Sequence, residues 1–357
     1  MRLHIFGLPH SKIRKDLPWA FCAYSQKIYN ICKMFYDEGH EVLLYSHSGA
    51  TAPCTELIDF YPDGLFEETH GPITPTSRPL FGGDIPTYQW ARDHFAIEVN
   101  KRSGDNDIVL STFGDSFGGD TFRDCIPPVV ESAIGYPYAH HAHYKIFESH
   151  YIRNYVKGLN KDERANYSES VIHGYIDPEE YIFNTKPQDY FLYLARVEDD
   201  YAESKGLHLA LQLQDALKFK LKIAGPGPGE KYVRDGVDYV GPVAQEEKAK
   251  LISNAKALFS MTLYPEPFGY IVIESFMSGT PVISSDHGAF PETIPSNVGF
   301  RGVFWTDYVN AIKNIDNIDR YECRDHAMRN FSLESAYKKY VKFFEKIIYH
   351  HQRGWYG

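Results

Sequence analysis

Short apolar runs alternate with stretches of helical periodicity and polar loops, and this pattern occurs twice along the chain. Residues 3–6 (LHIF) read as a strand. In residues 23–38, Ile28, Ile31, Met34 and Phe35 share one helical face, and Gly39 ends the run. Residues 41–45 (EVLLY) read as the next strand. Residues 46–86 are Pro- and Gly-rich and mostly loop, with a strand candidate at 57–61. Residues 88–101 are helical in pattern, and 108–111 and 129–131 are short buried strands. A weakly patterned stretch, 155–188, follows, ending in Asp177-Pro178 and Lys186-Pro187. The alternation then restarts with strands at 190–194, 221–224, 239–240, 257–260 and 281–284, and helices at 207–217 and 246–254. Strands alternating with helices predict parallel sheets. The expected architecture is α/β, with two Rossmann-like, doubly wound domains facing across a cleft. The boundaries predicted are 1–175, 176–333 and a closing segment, 334–357. In that segment Tyr337, Tyr340, Val341, Phe344 and Ile348 share one face, with Lys338, Lys339, Lys342 and Lys346 largely off it. A helix packed on the body is the preferred reading, and peripheral membrane contact is the competing one.

Composition narrows the field. With 357 residues, 43% of them hydrophobic, the chain can bury two cores of ordinary size. No apolar stretch approaches the length of a membrane span, and the N-terminus lacks the pattern of a signal peptide. Cys22, Cys32, Cys54, Cys125 and Cys323 are scattered without paired spacing and predict reduced thiols in a cytoplasmic protein. The net charge of −10 argues against a surface that tracks nucleic-acid phosphates, although Lys12, Arg14 and Lys15 leave room for a local basic patch. The 27 Tyr and 23 Phe suit carbohydrate stacking but suit core packing better.

The chemistry concentrates in residues 264–290, YPEPFGYIVIESFMSGTPVISSDHGAF. Ile271, Val272, Ile273, Phe276 and Met277 suit a buried helix that opens at Phe268-Gly269 and stops at Gly279. Glu274 then projects from its second turn, and Glu266 lies in the loop before it. At about 1.5 Å per residue the carboxylates stand roughly 10 Å apart, beyond the usual glycosidase separation of about 5 to 9.5 Å. Such a pair can grip the two ends of a nucleotide sugar. The helix N-terminus at Gly269 offers N–H groups and partial positive charge to a diphosphate between them. Gly288-Ala289-Phe290, before Pro291-Glu292, reads as a second helix start that could add donors. On spacing alone, the plainer reading prevails: two ordinary helix starts with solvated glutamates.

The motifs change that balance. EPFGYIVIESFMSGTPVISSDHGAFPE resembles the donor-binding signature of family-four glycosyltransferases: Glu, seven residues, Glu, Gly-Thr-Pro-Val, then a glycine turn ending in Pro-Glu. GHEVLLY at 39–45, DYFLYLARV at 189–197 with Lys205-Gly206, LKIAGPGPG at 221–229 and VDYVGPV at 237–243 match in order. LPH at 8–10, AYSQK at 23–27, VESAIGY at 130–136 and IFESH at 146–150 resemble a bacterial and phage-borne branch. The resemblance covers nearly the whole chain. It implies the GT-B fold, with the closing helix crossing back to the first domain. It also implies transfer with retention from a UDP- or GDP-linked sugar, with no metal and no cofactor. By resemblance Arg196 and Lys205 contact the diphosphate, Glu274 holds the ribose and Glu266 the transferred sugar. Phe268, Gly269, Gly288, Ala289 and Phe290 complete the donor site.

Many relatives carry a catalytic histidine after the strand that here ends at Val130-Glu131, but this chain reads ESAIGY. Glu131 or His10 could substitute, and each is equally readable as structural. Gln26 and Lys27 are weaker candidates for acceptor or phosphate contact. Asp105-Asn106-Asp107 precedes a strand and reads as a turn, not a metal site. His140, His141 and His143 lack partners with ligand spacing. The acceptor stays open among a glycan, a lipid-linked glycan, a small molecule, a protein and a modified DNA base. The competing functions are a sugar phosphorylase or nucleotide-sugar epimerase on the same fold, and a non-catalytic sugar-nucleotide-binding protein.

Overall fold

The computed structural model describes residues 1–16, 23–72, 80–112, 119–136, 142–163, 167–243 and 245–353. The chain forms two compact units. One comprises Met1–Glu148, Arg153–Ile172 and Tyr337–Gly357, and the other Ser149–Ile152 and His173–Ala336.

The first unit is built on seven strands: β1 (Arg2–Phe6), β2 (Glu41–Ser46), β3 (Glu56–Asp59), β4 (Asp107–Ser111), β5 (Val129–Ile134), β6 (Tyr144–Phe147) and β7 (Glu169–Val171). They pair in the order β3-β2-β1-β4-β5-β6-β7, every pairing parallel. A parallel sheet covered on both faces needs runs of apolar residues rather than alternation, and Leu3, Ile5, Phe6, Val42, Leu44, Ile108, Val109 and Leu110 are fully buried. Helix Ala23–Asp37 buries Ile28, Ile31, Met34 and Phe35. Phe35 stacks on Phe344 of the last helix, Leu333–Arg353, and Tyr340 of that helix shares a hydrogen bond with Ser132 at 2.5 Å.

The second unit carries six strands: β8 (Phe191–Leu194), β9 (Leu221–Ala224), β10 (Val237–Gly241), β11 (Ala257–Ser260), β12 (Val282–Ser285) and β13 (Gly299–Gly302). Their order is β10-β9-β8-β11-β12-β13, again wholly parallel. Alternate residues of β8 feed two cores. Leu192 packs with Leu258, Val272 and Phe276 on one face, and Phe191 and Tyr193 pack with Ile223 and Phe259 on the other. Arg320 locks loop ends below this sheet. Its guanidinium donates to the carbonyls of Asn184, Ala255 and Ser253 and to Thr280 Oγ1, at 2.6 to 3.0 Å. Burial lowers its pKa to about 10.

Several elements lie where periodicity was silent. A helix, Leu65–His70, sits within the segment read as loop, and β6, β7 and β13 lack an apolar run that would mark them. Helix Arg320–Phe331 is so rich in charge that only Arg320, Cys323, Ala327 and Phe331 are buried. Asp105 and Asn106 form a turn, as read, but Asp107 belongs to the strand that follows. It opens β4, buried, 3.0 Å from His4 Nε2, and accepts the Gly104 N–H at 2.7 Å.

Candidate functional site

Strand order in the second sheet reverses between β8 and β11, and ligands of doubly wound sheets bind beyond the C-terminal strand ends at such a point. The loops leaving these two strands carry the charged cluster. They are tied together by the backbone, Leu263 N–H donating to the Ser204 carbonyl at 2.8 Å. Lys205 follows helix Asp199–Ser204 directly, and its ammonium reaches Glu266 Oε2 at 3.0 Å. Tyr264 completes a triangle. Its hydroxyl donates to the same carboxylate oxygen at 2.8 Å and accepts from the Lys205 ammonium, which lies 4.4 Å from the centre of its ring.

The loop of Glu266 rests on the turn after β12. Ala289 N–H donates to the Glu266 carbonyl at 2.9 Å. Gly288 has φ +63°, and a Cβ there would stand 2.3 Å from that same carbonyl oxygen, so only glycine fits. Gly269, at φ +86°, precedes helix Tyr270–Met277, whose N-terminus has no side-chain cap. A helix start without a side-chain cap is attractive to anions. Phe268, Ala289 and Phe290 are buried, Phe290 directly under Gly269. Their side chains serve packing, so any ligand contact they make runs through the backbone.

The other donor-site candidates have separate partners. Glu274 is buried in the middle of its helix, takes the Lys248 ammonium at 2.8 Å and shares a hydrogen bond with Tyr181. Burial, reinforced by that carboxylate, pushes the Tyr181 hydroxyl well above the usual tyrosine range. Arg196, about 39% exposed, faces Glu198 at 3.8 Å and the ring of Tyr201. The fold therefore brings Lys205, Glu266 and the Gly288 turn together, with Arg196 on the same β8 loop as Lys205 and Glu274 held by other groups. Tyr264, Lys248 and Tyr181 were not singled out from sequence. Tyr264 stands two residues before Glu266 in the signature, and that proximity was the available signal.

In the first unit His10 follows β1 and is fully buried. Its Nδ1 lies 2.6 Å from the Tyr88 hydroxyl, and the two rings stack. Burial, with His70 and His47 nearby, lowers its pKa to about 3, so the imidazole is neutral at neutral pH. Glu131 is buried on β5, opposite Ser111, with Ala142 N–H 3.5 Å from its Oε2. Two residues on, Ala133 has φ +56°, where the β5–β6 register shifts. Left-handed backbone at a non-glycine stores strain, and such strain clusters at functional positions. Lys27 is paired with buried Glu148 at 2.7 Å, and Gln26 lies half-buried on the same helix. Lys12 and Arg14 pair with Glu67 and Asp16. His143 contacts Tyr144 and Tyr167, whereas His140, His141 and Cys22 lie outside the described residues. Among the described residues no group of three or more His, Cys, Asp or Glu is arranged to hold a metal ion, and no helix is long and apolar enough to cross a membrane. Cys32, Cys54, Cys125 and Cys323 are free thiols.

Residues 179–332 match the family described as Glycosyl transferases group 1. No curated protein matches the chain. Among solved structures it is similar to AviGT4, a glycosyltransferase involved in avilamycin A biosynthesis, with TM-score 0.68 at 20% identity over 98% of each chain. It is also similar to sucrose-phosphate synthase from Thermosynechococcus elongatus, with TM-score 0.68 at 15% identity over 98% of this chain and 99% of that one. A third similar structure is HepE from Anabaena in complex with UDP and glucose, with TM-score 0.61 at 12% identity over 97% of this chain and 100% of that one. The fold is GT-B, with two parallel, Rossmann-like α/β sheets. The family match and the fold together support a transferase enzyme.

Proposed function

We propose that this protein is a family-four-type retaining glycosyltransferase, using a UDP- or GDP-linked sugar without a metal ion. The observation that carries the reading is the Lys205–Glu266 pair, set at the strand-order reversal of the domain that matches the transferase family. Beside it lie the backbone turn of Gly288 and the uncapped helix start after Gly269. That HepE was solved with UDP and glucose, and with UDP-glucose, favours the uridine donor.

In this reading Lys205 and Arg196 balance the charge that builds on the diphosphate as the sugar–phosphate bond breaks. The N–H groups following Gly269 add fixed dipoles, and preorganised groups of this kind carry much of the rate enhancement in transfer reactions. Glu266 accepts hydroxyls of the sugar and Glu274 those of the ribose. The acceptor oxygen bonds to the anomeric carbon on the face the diphosphate leaves, and its proton passes to a phosphate oxygen. No side-chain base is then obligatory. Glu131 is the first-unit group best suited to orient an acceptor hydroxyl. Neutral His10, enclosed with Tyr88, serves the structure around that region. The acceptor is a glycan, free or lipid-linked, or a small molecule; the acidity of the chain disfavours nucleic acid. A cytoplasmic enzyme is the natural setting, since it would draw on the pool of nucleotide sugars.

The test is a thermal-shift panel of nucleotide sugars, followed by assay of nucleoside diphosphate release with the selected donor, with and without acceptor and chelator. Lys205→Ala and Glu266→Ala are expected to lower kcat/KM by about 100-fold or more, with chelator having no effect. Full activity in both variants would overturn the assignment. Phosphate-dependent disaccharide cleavage, or sugar-nucleotide conversion without acceptor, would redirect it to a phosphorylase or an epimerase.

A further inference from the structure

We infer that Tyr264 is a positioning residue for the donor sugar: it holds Glu266 in place while the Lys205 ammonium changes partners. This rests on the reading of the site as a nucleotide-sugar site.

The geometry presents a conflict that the tyrosine resolves. The Lys205 ammonium is already paired with Glu266 Oε2 at 3.0 Å, yet the same ammonium is the group suited to a diphosphate. A diphosphate carries more charge than one carboxylate and competes for it. If the ammonium moves, the mostly buried carboxylate, 12% exposed at the side chain, loses its counter-charge just when it must accept sugar hydroxyls. An acceptor stranded in a half-enclosed site is costly and reorients. The Tyr264 hydroxyl prevents this. It donates to the same Oε2 at 2.8 Å, and that bond does not depend on where the ammonium lies. With its lone pair and its ring face it also tethers the ammonium beside the carboxylate. A hydroxyl does both, as donor to an anion and acceptor from a cation. Phenylalanine keeps the ring under the ammonium and loses both hydrogen bonds. No described residue bonds the other oxygen, Oε1, which leaves that lone-pair face for sugar hydroxyls.

The consequence divides the ligand in two. A free nucleoside diphosphate has no sugar for Glu266 to hold, so its affinity depends on Lys205 and little on Tyr264. An intact nucleotide sugar needs the carboxylate in register and depends on both. The experiment uses the full chain and Tyr264→Phe, with thermal melts of each. Calorimetry measures binding of UDP and UDP-glucose, with GDP and GDP-mannose as a second arm, and transfer is assayed with the donor that binds. For Tyr264→Phe the expected result is nucleoside diphosphate affinity within about twofold of wild type, with nucleotide-sugar affinity and kcat/KM each about tenfold lower. Adding Tyr264→Phe to Glu266→Gln should cost nothing further, because the two act as one unit.

Unchanged handling of the nucleotide sugar by Tyr264→Phe, or an equal loss for nucleoside diphosphate and nucleotide sugar, would overturn the inference while leaving the transferase reading intact. Additive effects in the double variant would do the same. A wild-type protein that binds no nucleotide and no nucleotide sugar would overturn both.

Discussion

One oxygen, Oε2 of Glu266, receives both the Lys205 ammonium and the Tyr264 hydroxyl, and its peptide carbonyl receives the Ala289 N–H. At the residue scale the site is therefore a carboxylate held at both ends. Its weakest point is Gly288. A side chain there must tolerate φ +63° and a Cβ placed 2.3 Å from the Glu266 carbonyl oxygen, which is backbone and cannot swing aside. Gly288→Ala is expected to cost about 2 kcal/mol or more in denaturant unfolding. It should also lower transfer by displacing the loop of Glu266. A variant of wild-type stability and activity would contradict this account of the turn. The glutamates and Gly288 were legible through one motif and Lys205 through a separate segment sixty-one positions before Glu266, in both cases by resemblance, since spacing alone favours ordinary helix starts. The contacts of Tyr264 were not legible, since an aromatic residue after a buried strand ordinarily signals packing.

Among the elements, the short helix Phe290–Thr293 does work out of proportion to its length. Its Glu292 carboxylate accepts the N–H groups of His150 and Tyr151 at 3.0 and 2.9 Å and meets His173 Nε2 at 3.2 Å. Burial alone would raise the Glu292 pKa, but His173 and the two N–H groups outweigh it and hold the group below its usual range. For a carboxylate with a depressed folded-state pKa, the stabilisation is complete above the unfolded value, about 4.3. It is lost as pH falls through the lower folded value. Glu292→Gln is thus expected to lower stability by about 1 to 2 kcal/mol at pH 7, and the gap from wild type should close as pH falls below about 4. Parallel stability–pH curves for the two proteins would count against it. Nothing in the sequence tied Glu292 to residue 150, because the contact spans more than a hundred positions. Likewise β6, β7 and β13 stayed hidden: YKIF, ESV and GFRG lack the unbroken apolar run that marks strands of equal length such as FLYL of β8 and ALFS of β11.

For the whole molecule, acid should strike the two units unequally. His10 and His47 of the first unit are pushed down to about 3 and about 4, in both cases mainly by burial. Unfolded, they take up protons near the ordinary histidine value of about 6.5; folded, they stay neutral until far lower pH. Their contribution is unperturbed above about 6.5 and turns progressively destabilising below it, until the folded values are reached. Between pH 7 and 5, scanning calorimetry is expected to show the first unit's transition falling further than the second's. His10→Gln should flatten that slope. Equal slopes in wild type and variant would show that His10 does not drive the effect.

The sequence by itself determined the α/β class, the two rounds of alternation and the position of the signature, because hydrophobic period and glycine placement act over a few residues and need no partner. The resemblance in its motifs pointed to GT-B, and the fold is GT-B. Only the tertiary structure decided which charges meet. It set Lys205 on Glu266 across sixty-one positions, gave Glu274 to Lys248 and enclosed His10 beside Tyr88. Pairing of side chains depends on strand order and on how two loops leave neighbouring strands, and neither is written in local pattern. A carboxylate's partner is fixed where the chain returns to it in space, so its chemistry becomes readable only once the sheet has formed.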